Sequence, residues 1–167
     1  AIVGLILVFY KQTYVSKKLG VSSTAIGVIN GRWAMDIFGL RKDSASVRLN
    51  RVLPNNSLPG LWMCLLPIYL QYKISEKVRI YPSVPKPGEE GLANIVLSRT
   101  IYFDNIINES KDKVEQFVAM GAGFDTRCYG DLENSNLKFF ELDQEKTQKL
   151  KIKYLKKAGI NTSGVIY

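Results

Sequence analysis

The apolar run Val118-Ala119-Met120 passes directly into Gly121-Ala122-Gly123-Phe124-Asp125-Thr126-Arg127. Glycines at 121 and 123 let a backbone bend sharply and approach a ligand closely, and a helix starting after such a turn offers free amides. Twenty-two residues beyond Gly121, Asp143 closes the segment Phe139-Phe140-Glu141-Leu142-Asp143. In nucleotide-binding α/β sheets an acidic side chain about 20 residues past the turn accepts hydrogen bonds from ribose hydroxyls. Alternation sets Glu141 and Asp143 on one face of this segment, with Asp143 nearer the carboxyl end where ligands lie. Asp143 is therefore the preferred ribose acceptor, and capping of the next helix is the competing use of the acidic pair.

Arg99 is the third residue of interest. At about 100° per residue, Leu92, Ile95, Val96, Phe103, Ile106 and Ile107 form one apolar stripe with Arg99 in its middle. A guanidinium buried there without an anion would be costly, so a partner is expected. A ligand carboxylate is one such partner; Asp104 or Asp125 within the chain, or escape of the long side chain to water, are the others.

The ligand class follows from what is missing. A nicotinamide dinucleotide fingerprint takes a third glycine where this chain has Thr126, because its helix packs tightly beside a pyrophosphate. S-adenosylmethionine has ribose and adenine without a pyrophosphate, so the departure favours a methyl donor. A nicotinamide-dependent oxidoreductase is the alternative enzyme. A non-catalytic module binding membrane or nucleic acid through basic surface is the alternative outside enzymes.

The chain holds no histidine, which removes histidine-assisted nucleophiles and most transition-metal sites. Cys64 and Cys128 lack the spacing of a disulfide framework or zinc site and read as reduced thiols. The net charge of +8 concentrates in Lys146, Lys149, Lys151, Lys153, Lys156 and Lys157. These alternate with Leu150, Tyr154, Leu155 and Ala158 as on a helix with a solvated face, so no specific nucleic-acid partner is inferred.

The elements that must position these groups alternate in type. Glu89 to Ile107 reads as helix, Val114 to Met120 as a buried strand, Asp125 to Leu132 as loop and helix start, and Leu137 to Leu142 as strand. Glu145 to Ala158 then reads as helix closed by Gly159, and Val165 onward as a third strand. Strand and helix alternating at this pitch imply an α/β fold with a parallel sheet and right-handed crossovers. Upstream, Ser22, Ser23 or Thr24 caps a helix running to Gly39, and Asn55-Asn56-Ser57 with Pro59 opens an apolar segment from Leu58 to Tyr72. Residues 2 to 9 are uninterrupted apolar residues followed by Lys11, Lys17 and Lys18. This run is shorter than the roughly 20 residues of a bilayer span. It reads either as the cytoplasmic end of a membrane anchor or as a first helix packed on the domain. Three prolines in Tyr81 to Gly88 mark a linker. The organisation expected is a helical region over 1–80, a linker over 81–88, and over 89–167 the first strands of a sheet that continues past the last residue. The first residue is Ala and Gly164-Val165-Ile166-Tyr167 ends without a turn, so both ends read as interrupted.

Three segments, Leu97-Ser98-Arg99-Thr100-Ile101-Tyr102-Phe103-Asp104, Gly121 to Arg127 and Phe140-Glu141-Leu142-Asp143, resemble the leucine carboxyl methyltransferase family in this order. The likeness covers about residues 89 to 158 and extends more faintly through Gly31-Arg32-Trp33-Ala34-Met35-Asp36. It implies a Rossmann-like class I methyltransferase fold and S-adenosyl-L-methionine as cofactor. In the family the counterpart of Arg99 binds the donor carboxylate, that of Gly121 lies against its methionine part and that of Asp143 binds the ribose. The cofactor-binding set expected here is Arg99, Gly121, Ala122, Gly123, Asp125, Glu141 and Asp143, with no catalytic residue or metal ligand assigned. The acceptor implied is a carboxylate on a small molecule or a protein. An ionised carboxylate needs no general base, which suits a histidine-free chain. The expected location is the cytoplasm, with the N-terminal apolar segments available for membrane association.

Overall fold

The computed structural model describes residues 1–78, 88, 91–130, 132 and 136–167, with residues 92–94 described by their backbone alone. The chain opens with α1 (Ile2–Phe9), widens into a π-type stretch at Tyr10–Val15 and closes in the single turn α2 (Ser16–Leu19). Gly20 stops it in the left-handed conformation, at φ 68°. α3 (Ser23–Ile37) follows, with Ser22 at its N-cap. The Ser22 hydroxyl bonds the Thr24 hydroxyl at 2.6 Å and caps no amide.

α4 (Ser44–Val52) is an element that the sequence pattern did not bring out. Asp43 caps it by accepting the Ser46 amide at 2.9 Å. Its signal was present: an aspartate N-cap, then Ala45, Leu49 and Val52 at helical spacing, of which Ala45 and Leu49 are buried. α5 (Leu58–Ser75) starts as expected, with the Ser57 hydroxyl accepting the Gly60 amide at 3.2 Å and proline in its first turn. The helix continues through Pro67. Among the described residues, no helix is long and apolar enough to cross a membrane. The linker expected at 81–88 lies, Gly88 apart, outside the described residues.

α6 (Leu92–Ser110) leads to β1 (Gln116–Met120), β2 (Lys138–Leu142), α7 (Glu145–Lys157) and the two-residue β3 (Val165–Ile166). The strands form one parallel sheet in the order β1-β2-β3, with Val118 opposite Phe140 and Phe140 opposite Ile166. This is the parallel α/β arrangement expected, with α7 crossing between β2 and β3; between β1 and β2 the described residues carry a single 3-10 turn at Arg127–Tyr129 in place of the expected helix start. The core lies on one side of the sheet, where Phe139 and Val165 meet Ile26 and Ile29 of α3, Leu49 of α4 and Leu155 of α7.

Three expectations need correction. β1 was expected to be buried, yet Val118 and Met120 stand exposed, because the described helices that form the core cover only one sheet face. The stripe on α6 was expected to be buried around Arg99, but Ile95, Phe103 and Ile106 are exposed, and so is Arg99. Its need for an anion therefore cannot be argued from burial. Lys151 was read as part of a solvated lysine face, yet it is 1% exposed. Its ammonium donates to Glu141 at 2.6 Å and stands 5.2 Å from the centre of the Tyr129 ring. The helical period places 151 beside Leu155, on the buried side.

Candidate functional site

The turn after β1 is bent where its two glycines stand. Gly121 has φ 62° and Gly123 φ 50°, conformations that side chains rarely adopt. A Cβ on Gly121 would point into open space, whereas one on Gly123 would lie 3.4 Å from the Ala25 side chain. The first glycine thus leaves room on the cleft side, and the second brings the loop against α3. Two bonds fasten this turn to the tip of β2: the Ala122 amide donates to the Leu142 carbonyl at 3.1 Å, and the Gly123 amide donates to Asp143 Oδ2 at 2.5 Å. Asp143 Oδ1 accepts the Gln144 amide at 2.6 Å, at the start of α7. A carboxylate has about four acceptor positions, so Asp143 pins the loop and retains acceptor capacity towards the cleft.

That cleft has a volume of about 370 Å³ and adjoins a second space of about 430 Å³; Arg99, Gly121, Ala122 and Asp125 line both. Gly123 and Asp143 line the first space. Six of the seven expected residues therefore converge on one opening at the carboxyl ends of β1 and β2. Sequence reasoning missed the rest of the lining, which Ser22 at the α3 N-cap and Thr24 and Ala25 of α3 supply together with Thr147 of α7. The order of elements gave no sign that the start of α3 would fold back over the sheet.

Arg99 reaches this opening from α6. Among the described residues no carboxylate pairs with it, because the two internal candidates are engaged elsewhere. Asp104 holds Arg41 and Arg127, and Asp125 holds Arg32 and Arg127. With Asp43, which binds both Arg32 and Arg41, these six side chains close a circuit of alternating charge. The separations are 2.7 Å for Arg32 to Asp43, Arg32 to Asp125 and Arg127 to Asp104. Burial works against the charge on both Asp43 and Asp125. The neighbouring guanidinium groups outweigh it and hold both carboxyls below the ordinary range. Burial likewise opposes the Arg32 charge, and its two carboxylate partners overcome it.

The circuit joins the start of α4, the loop before it, α6 and the glycine-rich turn. Thr126 strengthens the same junction: its hydroxyl lies 2.7 Å from the Ser46 hydroxyl and 3.1 Å from Asp43 Oδ1, and the residue is 1% exposed. A glycine at this position would lack the hydroxyl that ties the turn to α4. Asp125 therefore lines the cleft while its carboxylate is committed to two arginines.

Glu141 is placed differently. It does not line the cleft, because its side chain turns into the core below Asp143. Its oxygens are taken by Lys151 at 2.6 Å and the Tyr129 hydroxyl at 2.9 Å, and Tyr129 in turn meets the Tyr167 hydroxyl at 2.8 Å. Burial pushes the Cys128 thiol beside this cluster up to about 12, with the Glu141 charge adding to the shift.

Comparison with known proteins gives the chain its relatives. A family model described as Leucine carboxyl methyltransferase matches residues 69–165, which span α6, the glycine-rich turn, the Asp143 tip and α7. The relative named "Putative S-adenosyl-L-methionine-dependent methyltransferase YktD", from Bacillus subtilis (strain 168), is 39% identical over 74 residues. That match takes in 42% of this chain and 24% of the relative, so the chain covers about a quarter of that protein's length. No solved structure matches the chain. With more than half of its residues under the family pattern, the chain belongs to the leucine carboxyl methyltransferase family, whose cofactor is S-adenosyl-L-methionine.

Proposed function

We propose that the cleft at the β1 and β2 tips binds S-adenosyl-L-methionine and that the protein transfers its methyl group to a carboxylate or related oxygen acceptor. In this reading Arg99 takes the donor carboxylate, the backbone of Gly121, Ala122 and Gly123 lies along the methionine part, and Asp143 accepts the ribose hydroxyls. Asp125 acts through Arg32 and Arg127 to hold the turn in place, and Glu141 serves the core. The helical region over 1–80 serves as a cap in this reading, and the region over 89–167 as the donor-binding portion. The observation that carries the reading is that one glycine-lined cleft brings together a guanidinium with no carboxylate partner among the described residues and a carboxylate with acceptor capacity to spare.

The residues present fit this cofactor. Two adjoining spaces of about 370 and 430 Å³ fall within the usual size of a small-molecule pocket. The open direction at Gly121 leaves the space that a side chain would fill. Thr126, buried against α4, stands where a pyrophosphate-binding turn takes glycine, which favours the methyl donor over a nicotinamide dinucleotide.

When bound, the donor would supply an activated methyl group on a sulfonium, whose in-line displacement by an acceptor oxygen breaks the sulfur–methyl bond and leaves the neutral thioether. The chain's contribution is to hold both groups in attack geometry and to keep water out. A carboxylate acceptor is already ionised at neutral pH, so the site needs no proton acceptor. Methylation of a carboxylate yields an ester, which mild base cleaves with release of methanol. Incubating the protein with isotopically methyl-labelled donor and candidate carboxylate acceptors should therefore give base-labile label. Label that resists base refutes carboxylate as the acceptor, and preferential binding of a nicotinamide dinucleotide refutes the methyl-donor reading.

A further inference from the structure

α1 and α5 pack against each other in an unusual way for helices that face water. Their backbones meet at two glycines: a Cβ on Gly4 would come within 2.7 Å of the Gly60 carbonyl oxygen, and one on Gly60 within 2.8 Å of the Gly4 carbonyl oxygen. Small residues at such a crossing characterise helix pairs in apolar surroundings, where close backbone approach replaces side-chain burial. The large side chains are consequently turned outward. Ile2, Ile6 and Phe9 of α1 and Leu70 and Ile74 of α5 are exposed, Phe9 at 72% and Ile74 at 87%. Helices at a protein surface ordinarily turn a charged face to water, and here the outward face is apolar.

The charge around this face is mainly positive, with the exposed Glu76 at the α5 C-cap as its acidic exception, set between the exposed Lys73 and Lys77. The first acidic residue of the chain is Asp36, and α5 carries none. Lys17 and Lys18 are exposed in α2, and Lys73 is exposed in the last turn of α5. Tyr10 and Tyr14, stacked with ring centres 5.2 Å apart, stand exposed between the apolar run and these lysines. Tyrosine at the boundary between an apolar zone and a charged one is the arrangement found at the headgroup level of a bilayer. A second copy of the chain would bring lysines against lysines, so the fringe disfavours self-association. Anionic lipid headgroups complement it, with the lysine stems lying along apolar surface and their ammonium groups at the phosphates.

We propose that α1 and α5 together form a docking face for an anionic phospholipid surface, lying in the interface without crossing the bilayer. The apolar side chains enter the boundary between headgroups and acyl chains, and Lys17, Lys18 and Lys73 hold the face to the anionic headgroups. This face is separate from the cleft lined by Gly121 and Asp143, so the proposal stands or falls independently of the donor reading.

The test is co-sedimentation of the unaltered chain with phosphatidylcholine vesicles prepared with and without phosphatidylglycerol, at low and at high salt. Binding should appear with the anionic vesicles, weaken as salt rises, and be far lower on phosphatidylcholine alone. Lys17→Gln with Lys18→Gln should lower the partition about 30-fold, from a factor of about five per lysine near the surface. Ile6→Asp with Phe9→Asp, both on exposed positions, should lower it at least as much while the circular dichroism spectrum is retained. No vesicle binding by the unaltered chain overturns the proposal, as does equal binding to the two vesicle types. Concentration-dependent dimerisation abolished by Ile6→Asp, without vesicle affinity, overturns it in favour of a second copy.

Discussion

Replacing Asp43 tests the charge circuit most sharply, because this carboxylate has two separable jobs. It caps α4 through the Ser46 amide and binds Arg32 and Arg41, with all four of these groups largely out of water. Asp43→Asn keeps a side chain that caps well, so its effect reports the ion pairs. Removing one partner of a buried pair costs about 3–5 kcal/mol when the other charge is left alone. Here Arg32 retains Asp125 and Arg41 retains Asp104, so a loss below that range is expected, about 2–3 kcal/mol. Asp43→Ala additionally removes the cap, worth about 1 kcal/mol, for a total of about 3–4 kcal/mol. Urea unfolding followed by circular dichroism reads both, provided that the slope of the transition is unchanged. A loss under about 0.5 kcal/mol for Asp43→Asn would refute the reasoning, since that is the scale of an exposed pair. Equal losses for Asn and Ala would show that the cap contributes nothing.

Further outcomes follow from the same geometry. Lys151→Met leaves the Glu141 carboxylate buried without its cation and should cost about 3–5 kcal/mol, while Lys151→Met with Glu141→Leu should recover most of that loss in a double-mutant cycle. Asp43 and Asp125 both have carboxyls held below the ordinary value of about 3.9, so their contribution is complete above about pH 4 and lost as the pH falls further. Asp125→Asn should accordingly flatten the acid limb of the stability profile and leave its slope near neutrality unchanged. Cys128, whose thiol burial raises to about 12, should resist alkylation at pH 8 in the folded chain and react on unfolding, as followed by mass spectrometry.

Much of the part of the chain that carries the sheet was legible because its signals are local. A strand ending in Gly121-Ala122-Gly123 and a carboxylate ending the next strand are read from spacing, and parallel order follows from alternation of types. What escaped the sequence depends on contacts between distant segments. Arg32 and Asp43 lie more than 80 residues from Asp125 and Thr126, and only the folding of α3 and α4 onto the turn brings them together. Glu141 and Lys151 illustrate the same limit, since one strand face carries both Glu141 and Asp143 and only the depth of each along the strand decides which meets the cleft. The apolar pattern of α6 marks a face to be covered, and the pattern alone does not say whether a described neighbour covers it.

Calorimetric titration of S-adenosyl-L-methionine into the unaltered chain and into Arg99→Ala and Asp143→Ala tests the central claim most directly. Binding by the unaltered chain, weakened by about 1–3 kcal/mol in each variant with the fold retained, is the predicted result. Donor affinity identical in all three proteins would contradict it.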